Sequence, residues 1–533
     1  MESLAAIDLL IVIFYTVFIF ALGFWASRHQ QETPVSYFLA NRKMGWLTIG
    51  ASLFVTNIST EHLVGLASSG AQNGLVVGHF EWMAIVALLA LGWVFAPLFL
   101  RAKVFTIPEF LEKRFGRSIR IYLTTVSILA YVLTKIAITL FAGGLLLNAM
   151  LGWDIYTSTL VMVVITGIYT IVGGLRAVMI THVFQMIVLI VGATILTVVG
   201  LEKVGGFRHL VNGLPANYFD VFRPINDPDF PWTGILFGAP ILALWYWCTD
   251  QYIVQRVLSA KNPEQARAAT IFTGFLKLLP AALMVLPGMV AILLFPGAKG
   301  DQVIGMLFSA KYLPVGLRGI VLAGFLSAMM SSLASVFNST ATLFTMDFYR
   351  IYNPEATQRK LVLVGRLATT IIVITAILWI PLTRLFNEQM YLYLQSLQAY
   401  IAPPIAAVFL FGMFNTKING RGAIYGLVGG GVIGGLRLIL EMIVKAQRID
   451  LGALNWFVQI NFLHFAVLLF LFSSAVLFIV SWLSNASTGE LNLPGFSLTI
   501  ASNKGILTAY NTTQLALSVF LLGLIVGIYG IFL

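Results

Sequence analysis

The chain has 533 residues, of which 59% are hydrophobic and only 10% are charged, whereas a soluble domain carries about 25% charged residues. A mean hydropathy of +0.92 excludes an ordinary cytosolic globule and a disordered chain. The net charge of +11 would suit a nucleic-acid binder, but in so apolar a chain it indicates basic loops beside a membrane. We therefore predict an all-α integral membrane protein with lipid, and no nucleic acid, around it.

The sequence offers little for catalysis. One cysteine, Cys248, and six histidines leave no spacing typical of a zinc site and no disulfide. There is no GxxxxGK[ST] phosphate loop. The first residues carry Glu2 and Asp8 without a basic start, so they predict a retained first span and not a cleaved signal peptide. We expect a transporter that uses an existing gradient, and not an enzyme.

Fourteen stretches are long and apolar enough for a bilayer-spanning helix, which needs about 20 residues. Twenty basic residues fall in one set of alternate loops and nine in the other. Because positive loops stay in the cytoplasm, both termini are predicted to face outward from the plasma membrane, or from the inner membrane of a bacterium. We number the stretches as spans 1 to 14, near 5–27, 45–70, 75–100, 120–150, 155–173, 177–201, 232–255, 266–296, 316–346, 361–383, 388–414, 421–444, 460–483 and 511–533.

Polar residues inside span 2 predict a helix that breaks at the middle of the membrane. The run from Thr56 to His62 contains hydroxyls, an amide, a carboxylate and an imidazole, which a lipid-facing helix does not tolerate. Unwound carbonyls at such a break can bind a cation, and the side chains can line a cavity. A continuous helix buried in a polar bundle is the alternative.

Span 9 is rich in hydroxyls and is the second candidate for cation binding. Ala328, Ser331 and Ser332 are spaced i, i+3 and i+4, so they share one helix face. One carbonyl and two hydroxyls there, opposite freed carbonyls of span 2, would form an oxygen cage suited to sodium. Packing of small residues against a neighbouring helix explains the same pattern equally well.

Other polar groups are scattered over five spans. They are Glu81 in span 3, Lys135 in span 4, the segment LWYWCTDQYIVQR at 244–256 in span 7, Lys277 in span 8, and Gln395 in span 11. Amides, charges and aromatic rings together suit a polyhydroxylated ligand if they converge. Tyr246 and Trp247 alternatively fit an aromatic belt at the membrane surface.

The motifs GASLFVTNISTEHLVGL, FTIPEFLEKRFG, LALWYWCTDQYIVQRVLSAK and SSLASVFNSTATLFTMD resemble the sodium/solute symporter family, in particular its sodium/glucose (galactose) branch. The resemblance implies a leucine-transporter-type core with two inverted five-helix repeats and broken spans 2 and 7. It also implies one transmembrane domain over 1–533, divided into an extra N-terminal helix at 5–27, repeats at 45–201 and 232–414, and three C-terminal helices within 421–533.

Carried over residue by residue, the resemblance implies both binding sites. Sodium is expected at the carbonyls of Val55, Ile58 and Ala328 and the hydroxyls of Ser331 and Ser332. Sugar contacts are expected from Asn57, His62, Glu81, Lys135, Tyr246, Trp247, Lys277 and Gln395. Gates are expected at Leu66, Phe80, Tyr246 and Tyr391.

His182 departs from the family pattern, which usually has an aspartate at this point of span 6. An imidazole is a poor sodium ligand, so we expect one sodium per substrate.

The expected function is sodium-coupled uptake of a glucose- or galactose-type hexose by alternating access. Symport of inositol, sialic acid or an amino acid is an alternative, as is a sodium-gated sugar sensor or channel on the same fold. The sequence leaves the oligomeric state open.

Overall fold

The computed structural model describes residues 4–28, 31–297, 302–309, 312–381, 390–447, 452–484 and 511–532. Regular structure in these ranges is helical, with two isolated β-bridges, so the all-α prediction is confirmed. The first helices are α1 (Ala6–Ser27), α2 (Pro34–Leu39), α3 (Trp46–Asn57), α4 (Thr60–Asn73), α5 (His79–Ala90), α6 (Ala96–Ala102), α7 (Ile107–Phe115), α8 (Arg117–Ala130), α9 (Ala137–Leu151), α10 (Ile155–Val204), α11 (Phe207–Gly213) and α12 (Trp232–Phe237).

The second half of the chain continues in the same way. Its helices are α13 (Ala239–Cys248), α14 (Gln251–Leu258), α15 (Pro263–Leu276), α16 (Leu286–Leu294), α17 (Gln302–Leu307), α18 (Leu317–Phe344), α19 (Arg350–Tyr352), α20 (Gln358–Trp379), α21 (Met390–Phe414), α22 (Gly420–Gln447), α23 (Asn455–Gln459), α24 (Phe462–Leu483) and α25 (Thr512–Ile531).

Eleven helical stretches among the described residues are long and apolar enough to cross a membrane, so the chain is a multi-pass membrane protein. The number differs from fourteen because spans 2 and 7 are interrupted and spans 5 and 6 lie in the single element α10. The count of fourteen crossings, the repeat boundaries and the outward-facing termini stay predictions.

Both predicted helix breaks are present. The first separates α3 from α4, where Ile58 and Ser59 adopt extended backbone angles. The second separates α13 from α14 at Thr249 and Asp250, and the Asp250 carboxylate accepts a hydrogen bond from the first turn of α14. Each break leaves backbone groups without helical partners, so each requires polar neighbours.

Helix α10 reverses direction at Gly174, the point at which spans 5 and 6 were expected to be joined by a short loop. The φ angle of Gly174 is 52°, outside the helical region. The side chains of Tyr169 and Gln185 lie next to each other, although a straight helix would hold them about 24 Å apart. The chain therefore folds back on itself with almost no connecting loop.

Helix α18 is the most enclosed membrane helix. In its most apolar stretch 94% of the residues are buried. The corresponding share is 22% for α1, α22 and α25, which therefore lie at the periphery.

Helix α1 contacts α18 through hydrogen bonds at two points. The Asp8 carboxylate accepts hydrogen bonds of 2.8 Å from the amides of Gly316 and Gly319 at the start of α18, and Ser327 donates to the Tyr15 hydroxyl at 2.6 Å. A carboxylate at a helix N-terminus stabilises that helix.

Candidate functional site

The end of α3 exposes carbonyls that side chains from two other helices satisfy. The hydroxyl of Ser331 in α18 donates to the Val55 carbonyl at 2.8 Å. The hydroxyl of Tyr252 in α14 donates to the neighbouring Thr56 carbonyl at 2.6 Å. The last carbonyls of a helix have no partner within it, so the break at Ile58 supplies acceptors that α14 and α18 contact.

Four of the five predicted sodium ligands cluster at this point. Ser331 also donates to the Ala328 carbonyl at 3.0 Å, and the hydroxyl of Ser332 is buried without a hydrogen-bond partner in the described part of the chain. Ile58, the fifth, is the residue at which α3 ends. Neutral carbonyl and hydroxyl oxygens suit a hard monovalent cation. The described residues contain no group of three or more His, Cys, Asp or Glu side chains that would hold another metal.

A polar cavity of about 650 Å³, including its opening, lies beside the break. All eight predicted sugar-contacting residues line it, and so does the predicted gate Phe80. Leu66 is buried in α4 and is not part of the lining, and the side chain of Tyr391 lies outside the described residues. The lining residues that were not among the predicted sugar contacts or gates are Glu61, Met83, Ala84, Ala239, Leu242, Ala243, Tyr252, Leu394 and Gln398.

One side of the cavity is a chain of charge-assisted hydrogen bonds. Lys277 forms an ion pair with Glu81 and donates to the Asn57 side-chain carbonyl at 2.6 Å. The Asn57 amide donates in turn to the Tyr246 hydroxyl at 3.2 Å. His62 lies 4.0 Å from Glu81, measured from Nε2 to the carboxylate. These contacts fix the orientation of Asn57 at the last position of α3.

The opposite side joins the second helix break to α9. A π-helical turn, Tyr131–Ile136, connects α8 to α9, and both Tyr131 and Lys135 reach Asp250 from it. The Lys135 ammonium lies 2.7 Å from the Asp250 carboxylate, and the Tyr131 hydroxyl donates to the same carboxylate. Lys135 also stands 4.6 Å from the ring centre of Tyr246, which holds that ring beside the cavity.

Glu61 is the cavity residue that sequence reasoning missed as a site residue. Its carboxyl group accepts a hydrogen bond of 3.0 Å from Thr139 and interacts electrostatically with Lys135. The two lysines of the cavity are already paired with other carboxylates. Three carboxyl groups, those of Glu61, Glu81 and Asp250, therefore lie around the two lysines. The position of Glu61 inside the polar run of span 2 could have identified it as a site residue.

His182 lies behind α3, in the middle of α10. Its Nδ1 hydrogen-bonds with the hydroxyl of Ser52 at 2.8 Å. Its Nε2 is buried without a hydrogen-bond partner among the described residues. Within 4 Å no described carboxylate oxygen faces this imidazole.

Two broken helices, neutral oxygens at the first break and a polar cavity beside it define a secondary transporter of the leucine-transporter type. The chain belongs to the sodium:solute symporter family, whose family model matches residues 37–430. It is therefore a sodium-coupled solute symporter and not an enzyme, and sodium is the co-transported ion.

Three relatives align over almost the whole chain. The sodium/mannose cotransporter of Bos taurus is 41% identical, over 89% of this chain and 86% of the relative. Sodium/glucose cotransporter 4 of Danio rerio is 38% identical, over 90% and 79%. The sodium/myo-inositol cotransporter of Homo sapiens is 36% identical, over 91% and 74%.

A solved structure shows the same fold. The substrate-bound, outward-open state of a Na⁺-coupled sialic acid symporter superposes with a TM-score of 0.77, covering 91% of this chain and 99% of that chain. The sequences are only 20% identical, so this likeness concerns the fold. The leucine-transporter-type architecture implied by the motifs is confirmed.

Proposed function

We propose that the protein couples sodium entry to the uptake of an uncharged polyhydroxylated solute, and that a hexose of the glucose or galactose type is the first candidate. The observation that carries this proposal is the charge balance of the cavity. Lys135 and Lys277 are each held by a carboxylate, and Glu61 adds a third carboxyl group that interacts electrostatically with Lys135. Hydroxyl groups can hydrogen-bond to all of these groups, together with Asn57 and Gln395.

The same charge balance disfavours a carboxylated solute. Both lysines are already paired, so the carboxylate of sialic acid, or of a zwitterionic amino acid, would find no unpaired lysine to meet it. The relatives are named for glucose, mannose and myo-inositol, all of which are uncharged polyols. A cyclitol such as myo-inositol is therefore the second candidate, and the ring faces of Tyr246 and Trp247 would stack on either kind of ring.

Coupling would pass through the end of α3. Val55 belongs to the proposed sodium site and Asn57, two residues later, belongs to the solute cavity. Sodium that ties α3 to α18 would hold Asn57 in its solute-binding position, so each ligand would favour binding of the other. The two repeats would then reorient around the occupied site, and Tyr246 would move aside to release the solute. The membrane potential would contribute about 2.3 kcal/mol per charge per 100 mV.

We propose a stoichiometry of one sodium per solute, because the buried His182 stands where a second cation would need a carboxylate. Charge counting during uptake into proteoliposomes would test this, and two charges per solute would contradict it.

We further propose that the protein lies in the plasma membrane, or in a bacterial inner membrane, with both termini outward. Reporters fused to each terminus that are accessible only from the cytoplasm would contradict that orientation.

The decisive experiment is uptake into proteoliposomes along an imposed sodium gradient. A radiolabelled panel of glucose, galactose, mannose, myo-inositol and sialic acid should show accumulation of one or more uncharged polyols, and only with sodium. Preferential accumulation of sialic acid would refute the substrate class. Solute-evoked sodium current without accumulation would favour a sensor or channel instead.

A further inference from the structure

Arg256 is a fully buried cation that the mechanism above does not use. It lies in α14, its side chain is 0% exposed, and no described Asp or Glu oxygen comes within 4 Å of it. Its Nη1 donates to the Tyr252 carbonyl at 2.7 Å and to the Ser339 hydroxyl at 3.2 Å. Its Nε and Nη2 have no hydrogen-bond partner among the described residues.

Asp250 attracts Arg256 only from beyond ion-pair distance, and a buried charge without a direct ion pair is costly. The two hydrogen bonds of Nη1 go to a neutral carbonyl and a neutral hydroxyl, which do not require a charged donor, so they do not explain why a cation stands here. The position of the guanidinium relative to the proposed sodium site does offer an explanation.

A row of hydroxyls leads from the proposed sodium site to Arg256. Ser331, Ser335 and Ser339 follow one another at intervals of four residues on α18, so they lie along one face. The Ser335 hydroxyl is 2.9 Å from that of Thr56 in α3, and Arg256 meets the row at Ser339. Two turns of helix separate Ser331 from Ser339, a rise of about 12 Å.

A second route gives a similar separation. The Tyr252 hydroxyl contacts the Thr56 carbonyl, next to the sodium-site carbonyl of Val55. The Arg256 guanidinium carbon lies 5.9 Å from the ring centre of the same tyrosine. The charge of Arg256 therefore stands on the order of 10 Å from the sodium site. It lies towards the end of α18 that the basic loops predict to be cytoplasmic.

We propose that Arg256 is an electrostatic gate for sodium, a tethered cation that weakens sodium binding and blocks the inner end of the hydroxyl row until α14 moves. This inference rests on the sodium site of the proposed function. A unit charge about 10 Å away, at the effective dielectric constant of about 20 found in proteins, changes a binding constant on the order of tenfold. Repulsion of that size speeds sodium release without preventing sodium binding from outside.

The test compares neutral and charged replacements in proteoliposomes. Arg256→Met removes the charge and should be tolerated, since apolar replacement of a buried charge is often neutral or stabilising. Arg256→Gln is a second neutral variant that keeps donors for Tyr252 and Ser339. Both should lower the sodium concentration for half-maximal uptake roughly tenfold and strengthen inhibition by sodium inside the vesicle. Arg256→Lys keeps the charge and should lie much closer to the wild type.

The sign of the change separates this role from a structural one. Damage to the fold would weaken sodium binding, whereas removal of a repelling charge tightens it. A sodium half-saturation in the Met and Gln variants that is unchanged or higher would overturn the proposal, and so would an equal decrease in the Lys variant. Wild-type protein that transports polyols without sodium would refute the proposed function itself, so the two failures are distinguishable.

Discussion

At the break between α3 and α4, every described group at the proposed sodium position is a neutral carbonyl or hydroxyl oxygen, whereas the solute cavity beside it is built from charges. On the sodium side, the Ser331 hydroxyl contacts the carbonyls of both Val55 and Ala328. The cavity has the Lys277–Glu81 and Lys135–Asp250 pairs. Neutral ligands leave the charge of sodium uncancelled, so its binding responds to voltage. Paired charges cancel each other, so the cavity presents oriented hydrogen-bonding groups to an uncharged solute.

The largest expected effect comes from breaking a charge pair of the cavity. Lys277→Met leaves Glu81 buried with only His62, at 4.0 Å, beside it; breaking a buried pair costs about 3–5 kcal/mol, and the change also removes the donor that orients Asn57. Uptake at saturating sodium should fall more than about 100-fold. The double variant Lys277→Met/Glu81→Leu should recover thermal stability without recovering uptake. Recovery of uptake in the double variant would show that the pair only supports the fold.

The next effect tests whether neutral oxygens suffice for sodium. Ser332→Ala removes one proposed ligand and should raise the sodium half-saturation of uptake about tenfold, which corresponds to about 1.4 kcal/mol. The solute affinity at saturating sodium should change less than about twofold. Thr340→Val is the matched control, since that hydroxyl donates only within α18. An unchanged sodium half-saturation in Ser332→Ala would remove this residue from the site.

A smaller effect is expected from the contact between Asp8 and the start of α18, the helix that carries part of the proposed sodium site. Asp8→Asn weakens the charged cap at the start of α18 and should lower stability by about 1 kcal/mol, seen as a lower melting temperature in detergent. The sodium half-saturation should stay within about twofold. Asp154→Asn, at the exposed cap of α10, should change the melting temperature less. An equal shift in both variants would contradict a special role for the buried cap.

The smallest effect concerns Glu61. Thr139→Val removes the hydroxyl that donates to this carboxylate, a bond worth about 1 kcal/mol or less in net terms. The solute KM should change by a factor of about two to five, with an unchanged sodium half-saturation. Thr125→Val, an exposed position on α8, serves as the control. A changed sodium half-saturation with an unchanged solute KM would instead assign Glu61 to the sodium site.

Much of this arrangement could be predicted because polar residues in a membrane span are costly and therefore conspicuous. The polar run from Thr56 to His62 predicted the first break, and all eight proposed sugar contacts surround one cavity. What the sequence could not supply was pairing over long distances along the chain. Asp250 is 115 residues from Lys135, and nothing local identifies them as partners. Glu61 escaped notice because its hydrogen bond from Thr139, 78 residues further along the chain, exists only in the folded protein.

The contact between Asp8 and the start of α18 also has a consequence for biosynthesis. The amide of Gly316 is made 308 residues after Asp8, a delay of about 15–60 s at 5–20 residues per second. During that interval the first helix is inserted, but the N-terminus of α18 that its carboxylate will bind has not yet been made. Asp8 lies in the first turn of α1, at the end of the apolar stretch and not in its middle. Helix α1 can pack against α10 early, through contacts such as Phe18 with Phe184, whereas its contact with α18 is completed only late in assembly.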